Sequence, residues 1–348
     1  MAEQPANQPI DPPIHSLRVI RYLGPGLIIA GSIVGSGELI ATTKAGAEAG
    51  FTLLWLILIG CVVKVFAQVE FGRYAIISGK PTLQALDEVP GPRIAGRGNW
   101  LVWYWLLMWL AGIGQLGGIV GGVGQALAIS APITQLGADF NTVADAETLQ
   151  KIDASGRDIA ALRDEFAAKH GPVEDTKPRD TAIWATIMAV LTSILLVIGR
   201  YGFIQTLSTV LVAAFTLLTI ANLFLLQGEP NWRVSAVEFV DGLKFGLPQG
   251  DRGVAIGTAL ATFGIIGVGA AELVAYPYWC LEKGYAKFAG TNDGSEAWTN
   301  RAAGWMRVMR IDAWGAMVIY TFATVAFYLL GAATLHRVGL NPAGDTMV

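Results

Sequence analysis

Two stretches decide the architecture: Gly35-Ser36-Gly37-Glu38-Leu39-Ile40-Ala41 and Gly269-Ala270-Ala271-Glu272-Leu273-Val274-Ala275. Each runs from small residues through Glu-Leu to a β-branched residue and alanine, and each sits near the middle of a long apolar run, 24–47 and 254–283. Two glycines within three residues weaken a helix by roughly 1 kcal/mol each relative to alanine, so the first run is expected to unwind at 35–37. A carboxylate at the centre of a membrane-crossing run costs on the order of 2.5 to 3.5 kcal/mol by insertion scales unless it faces a cavity or a partner. Two at matched positions read as site residues.

Working outward, the chain of 348 residues is 53% hydrophobic and 15% charged with a mean hydropathy of +0.50, and its charges cluster between long uncharged runs. That is the composition of a membrane protein. About seven segments reach the roughly 20 apolar residues that a bilayer core requires. They lie near 24–47, 51–77, 100–130, 181–199, 202–227, 254–283 and 311–335, and are called spans one to seven below. The fold class expected is all-α integral membrane. A net charge of −3 offers no basic field for nucleic acid. Cys61 and Cys280 lie in apolar stretches without a C-x-x-C or histidine companion, so neither a disulfide framework nor a zinc site is indicated.

Basic residues set the orientation. Arg73, Lys80, Arg93 and Arg97 gather at the turn between spans two and three, and Lys283, Lys287, Arg301, Arg307 and Arg310 at that between spans six and seven, whereas the opposite short loops are poorer in Lys and Arg. The positive-inside bias places the N-terminus, with Arg18 and Arg21, in the cytoplasm of a multi-pass cell-membrane protein. Residues 1–22 form a polar, proline-rich and disordered cytoplasmic tail without a signal peptide, 23–130 and 181–340 the transmembrane domain, and 341–348 a loop. Residues 131–180 are a polar extracytoplasmic insertion with a helix-like stretch, 144–170, to which no chemistry is assigned.

On this topology spans one and six run in opposite directions and open successive sets of five helices. That is the inverted repeat of secondary transporters, in which two interrupted helices meet at the midplane. Carbonyls freed at the breaks attract cations, and the N-termini of the following half-helices attract anions. The expected site holds Gly35, Ser36, Gly37 and Glu38 of span one and Ala270, Ala271 and Glu272 of span six, with Glu38 and Glu272 as metal ligands. Gln115, Gln125 and Tyr278 are candidate pathway residues. The plainer alternative makes Gly37 and Ala271 packing contacts and pairs one glutamate with a lysine such as Lys64 of span two.

Gly24-Pro25-Gly26-Leu27, followed by Gly46-Ala47-Glu48-Ala49-Gly50-Phe51-Thr52-Leu53-Leu54-Trp55, resembles the first two spans of the Nramp (natural resistance-associated macrophage protein) divalent-metal transporters. Gly72-Arg73 with Ser78-Gly79-Lys80 and Gly264-Ile265-Ile266-Gly267 extend the resemblance. It implies the LeuT-type inverted-repeat bundle of about ten helices, of which this chain holds about seven, as if a longer protein were truncated within its second repeat. It also implies a membrane transporter, a symporter and not an enzyme, with no cofactor and with the lipid bilayer and a transported cation as partners.

The departures bear on the substrate. The family's D-P-G-N motif falls on Gly35, Ser36, Gly37 and Glu38, and its M-P-H motif on Ala271, Glu272 and Leu273, so the soft methionine sulfur and the histidine are replaced. Two carboxylates and backbone carbonyls suit hard cations such as Mg²⁺, Mn²⁺ or Ca²⁺. Span three offers Gln115 and Gln125 where an acid would serve a proton route. Gly35-Ser36-Gly37 is also similar to the G-S-G turn of amino-acid permeases of the same superfamily, which makes a small organic solute the alternative substrate. A transport-inactive scaffold or sensor is a second alternative. The oligomeric state, the ion and the coupling gradient are not written in the sequence.

Weaker signals read as packing. Gly112-Ile113-Gly114-Gln115-Leu116-Gly117 matches G-x-G-x-x-G but lies mid-span with no preceding strand, so a small-residue packing face continued by Gly118, Gly121 and Gly122 is expected in place of a nucleotide site. Trp100, Trp103, Trp105 and Trp109 read as interfacial and lipid-facing anchors.

Overall fold

In a computed structural model, residues 9–94, 96–151 and 156–341 are described, the side chains of Ser16, Ser36, Gly37 and Ile265 excepted. Among these residues, five helices are long and apolar enough to cross a membrane: Leu54–Ser78, Trp100–Ser130, Asp180–Ile198, Tyr201–Leu226 and the last, which begins at Glu296. The bent pair Pro25–Ile33 and Glu38–Ala49, whose axes differ by 53°, makes a sixth when the two halves are counted as one span. Span six is divided into Arg252–Ile265 and Ala270–Lys283, each of 14 residues. At 1.5 Å per residue neither half crosses a 30 Å core alone. A two-stranded antiparallel ribbon, Arg93–Ile94 with Arg97–Asn99, is the small exception to the helical architecture.

The chain divides into two units, one formed by residues up to 112 together with 199–342, the other chiefly by 113–198. The first contains both broken spans. Its centre is the helix Glu296–Ala333, which packs against Pro25–Ile33, Ser36–Ala49 and Leu54–Ser78. This helix begins 15 residues before the predicted span at 311, since 311 minus 296 is 15. Trp298, Ala302, Trp305 and Met309 recur at helical spacing and are buried, and the arginines between them hide that stripe from a hydropathy average.

Residues 9–22 depart from the expected disordered tail. The Ile10 N–H donates to the Phe288 carbonyl at 2.9 Å, and the buried Trp305 indole donates to the Ile10 carbonyl at 2.8 Å. A buried indole N–H needs an acceptor, and here the proline-rich segment supplies it. Residues 342–348, most of the predicted terminal loop, lie outside the described residues.

In the second unit the helix-like stretch 144–170 becomes part of two helices, Gln135–Lys151 and Ile159–His170, with Asp158 capping the latter at Ala161. His170 Nε2 and Asp139 Oδ2 lie 2.9 Å apart, and Phe140 meets Phe166 edge-on. The His170 ring, and then the Gln135 amide, hold the Asp139 carboxyl below its ordinary value. A carboxylate with a depressed folded pKa contributes stability above its unfolded pKa, and that contribution is lost as pH falls through the lower folded value. Acidification below about pH 4 is therefore expected to speed hydrogen exchange in 135–151 and 159–170. Asp139→Asn should remove that acid step, and an unchanged profile would show that the pair contributes nothing.

The small-residue face of span three is not packed as expected. A Cβ added at Gly112, Gly114, Gly117, Gly118 or Gly121 would meet nothing among the described residues, whereas one at Gly124 would strike the Thr181 backbone. Trp105, half-buried, stacks with the exposed Trp109 at a centroid distance of 6.4 Å, and Trp100 and Trp103 are exposed as well.

Candidate functional site

Both breaks lie just before the residues singled out by the repeat. Span one leaves helical geometry at Val34 and Gly35, and the helix resumes at Ser36. Span six leaves it at Ile266 to Gly269 and resumes at Ala270. The predicted unwinding at 35–37 therefore contracts toward Gly35, with Ser36 and Gly37 already helical and only their backbone described. Gly267 sets the second break: its φ of +63° favours glycine, and a Cβ there would meet Cys61 Sγ at 3.3 Å.

The matched glutamates take the same local position. With Gly35 and Gly269 as N-caps, Glu38 and Glu272 are each the third residue of the second half-helix. Carboxylates there face the positive end of the helix dipole and its unsatisfied N–H groups. From this common start they diverge. Glu272 turns back over its own helix start, so that a Cβ on Gly269 would lie 2.5 Å from its Oε2. Glu38 instead crosses to the other broken span. It is 3% exposed, accepts from the Thr42 hydroxyl on Oε2, and accepts from the Gly267 N–H on Oε1 at 2.9 Å. These bonds do not fill the lone-pair positions of the carboxylate, which leaves it able to accept a ligand.

The lysine considered as a glutamate's ion-pair partner does something else. Lys64 Nζ donates to the Ile266 carbonyl at 2.5 Å and points to the Gly264 carbonyl at 3.3 Å, lying 5.2 Å from the centroid of the Phe263 ring. The peptide unit joining Ile266 to Gly267 is thus held at both ends, its oxygen by a cation of span two and its N–H by an anion of span one.

Tyr320 of the last helix lies against Gly267, and its fully buried hydroxyl has no hydrogen-bond partner among the described residues. Thr42 and Tyr320 were not singled out in the sequence, and Lys64 and Gly267 were named there only as an ion-pair partner and as part of a family stretch; only the fold gathers the four. The remaining predicted residues are less central. Ala270, Ala271 and Tyr278 are exposed. Gln115 and Gln125 belong to the second unit, and their role as pathway residues stays an expectation. Among the described residues no three His, Cys, Asp or Glu side chains gather closely enough to hold a metal ion. A cation here would draw on carboxylate, carbonyl and hydroxyl oxygens together. A cleft of about 270 Å³ lies elsewhere, between Phe71, Tyr74, Leu86 and Pro277.

A second buried carboxylate holds the first half-helix of span one at the end away from the break. Asp312 accepts from the N–H of Gly24 at 2.8 Å through Oδ1 and from that of Gly26 at 2.5 Å through Oδ2. It caps the start of the helix Pro25–Ile33 from a residue 288 positions away from Gly24. In sequence it reads as a single acid near the start of an apolar run.

No family model matches the chain. Over 84 residues it is 31% identical to the divalent metal cation transporter MntH of Levilactobacillus brevis, a match covering 24% of this chain and 18% of that protein. Among solved structures it is similar to a mutant of the Eremococcus coleocola manganese transporter and to the same transporter in complex with an aromatic bis-isothiourea substituted compound. Each gives a TM-score of 0.54 at 16% identity over 96% of this chain, and the chain spans 56% of those transporters' length. The resemblance carried by spans one, two and six holds in the fold: the chain is an all-α multi-pass membrane protein of LeuT-type architecture, similar in fold to these manganese-transporter structures.

Proposed function

We propose that the two breaks form a cation site and that the chain works within a secondary-active transporter of a hard divalent metal ion, its N-terminus in the cytoplasm. The observation that carries this reading is the placement of Glu38 and Glu272 at the start of both second half-helices. The positive helix ends that would receive a substrate carboxylate already hold carboxylates of the chain itself. What the breaks offer outward is negative charge and backbone oxygen, which a cation complements. An amino-acid substrate would have to compete with Glu38 and Glu272 for those ends. Mg²⁺, Mn²⁺ and Ca²⁺ all accept such oxygens, and Mg²⁺ in particular retains several of its waters. Alternating access would rock the broken spans with spans two and seven, and no bond-making chemistry is involved.

The test is calorimetric titration of the purified chain in nanodiscs with each of the three cations and with a panel of amino acids, followed by uptake in proteoliposomes. Divalent-cation binding is expected, weakened on the order of tenfold or more by Glu38→Gln and less by Glu272→Gln. Binding of amino acids without metal would select the permease alternative, and cation binding indifferent to both substitutions would place the site elsewhere.

A further inference from the structure

The Lys64 ammonium sits where a bound cation would be expected. Carbonyls at the C-terminal end of a helix lack intrahelical donors and carry the negative end of its dipole. At the break in span six two such oxygens, on Gly264 and Ile266, are taken by Lys64 Nζ at 3.3 and 2.5 Å. Lys64 is the eleventh of the 25 residues of Leu54–Ser78 and is half-buried, so its charge lies near mid-span. A lysine at that depth needs acceptors or a counter-charge. It takes neutral carbonyls while Glu38 spends one oxygen on the N–H of the same peptide unit. The ring of Tyr320, whose fully buried hydroxyl is without a protein partner among the described residues, lies against Gly267 of the same break.

We propose that Lys64 is a tethered cation occupying the carbonyl half of the site, which a free divalent ion must displace in order to bind. The inference rests on the cation reading above and goes beyond it by naming an internal competitor. Two positive charges cannot share those oxygens, so Lys64 sets the threshold concentration at which the site fills. It also keeps the break structured when no ion is bound.

Two measurements test this. In the first, Mn²⁺ is titrated into the parent chain and into Lys64→Gln and Lys64→Arg in nanodiscs. The neutral variant should bind Mn²⁺ on the order of tenfold more tightly, and the arginine variant no more tightly than the parent. The second uses the parent chain alone and so does not depend on a variant folding: acetylation of Lys64 by a water-soluble amine reagent, followed by peptide mass spectrometry, should rise when Mn²⁺ is added. If the parent binds Mn²⁺ while Lys64→Gln binds no more tightly, or Lys64 labelling is unchanged or falls, the tethered-cation proposal is overturned and the cation site stands. If neither parent nor variants bind Mn²⁺, Mg²⁺ or Ca²⁺, the cation reading fails and takes this proposal with it.

Discussion

Asp312→Ala is expected to lower the midpoint of thermal unfolding by about 10 °C, corresponding to a loss of about 3 to 5 kcal/mol. The carboxylate receives two backbone N–H groups, from Gly24 and Gly26, and both are buried with it. Removing it leaves two donors at the start of Pro25–Ile33 unsatisfied, and each orphan costs about 1 to 3 kcal/mol. The approach is close: a Cβ on Gly26 would lie 2.6 Å from the Asp312 carbonyl oxygen. Asp312→Asn keeps an acceptor on one side and should lose about half as much. Fluorescence-monitored unfolding in detergent reads the effect. A midpoint within a degree of the parent for Asp312→Ala would mean that water or another group takes over the cap.

The second large effect concerns the crossing of Ser36–Ala49 with the last helix. Gly46 and Gly331 face each other's backbones so closely that an added methyl on Gly331 would overlap the Thr43 carbonyl oxygen, and one on Gly46 would overlap that of Tyr328. Backbone cannot swing aside as a side-chain tip can. Overpacking of this kind costs about 1 to 3 kcal/mol for a methyl group, and Gly331→Val should exceed that range. The two sites share one crossing, so Gly46→Ala and Gly331→Ala together should cost less than the sum of the single changes. Once the helices have separated for one methyl, the other finds room. Strict additivity in a double-mutant cycle would show that the helices do not respond as a pair. Because this crossing carries the half-helix of Glu38, both substitutions should also weaken cation binding.

The architecture was largely legible from the chain. The seven predicted runs coincide with helices or helix pairs to within a few residues, except where Trp298, Ala302 and Trp305 extend the last helix through an arginine-studded segment that averaging conceals, but among the described residues six at most are long and apolar enough to cross a membrane. The breaks were legible as regions and were misplaced by a residue or a few. Small residues announce that a helix can open, but the opening at 266–269 is set by the left-handed Gly267 in tertiary contact with Cys61 and Tyr320. The matched glutamates were visible because they repeat. Their different orientations were not, since one carboxylate finds Gly267 across the fold and the other only its own helix start. Lys64 and Asp312 left the weakest trace. Single charges in apolar runs have no period or spacing, and their partners lie some 200 and 288 residues away.

The peptide plane between Ile266 and Gly267 has its polarity fixed from both sides. Turning it over would set its oxygen against the Glu38 carboxylate and its hydrogen against the Lys64 ammonium, reversing two attractions at once. This segment therefore cannot serve as a free swivel between the halves of span six while both charges remain in place. Spans one and two must travel with it as one rigid body, and the swivel of any larger motion belongs at other joints of the chain.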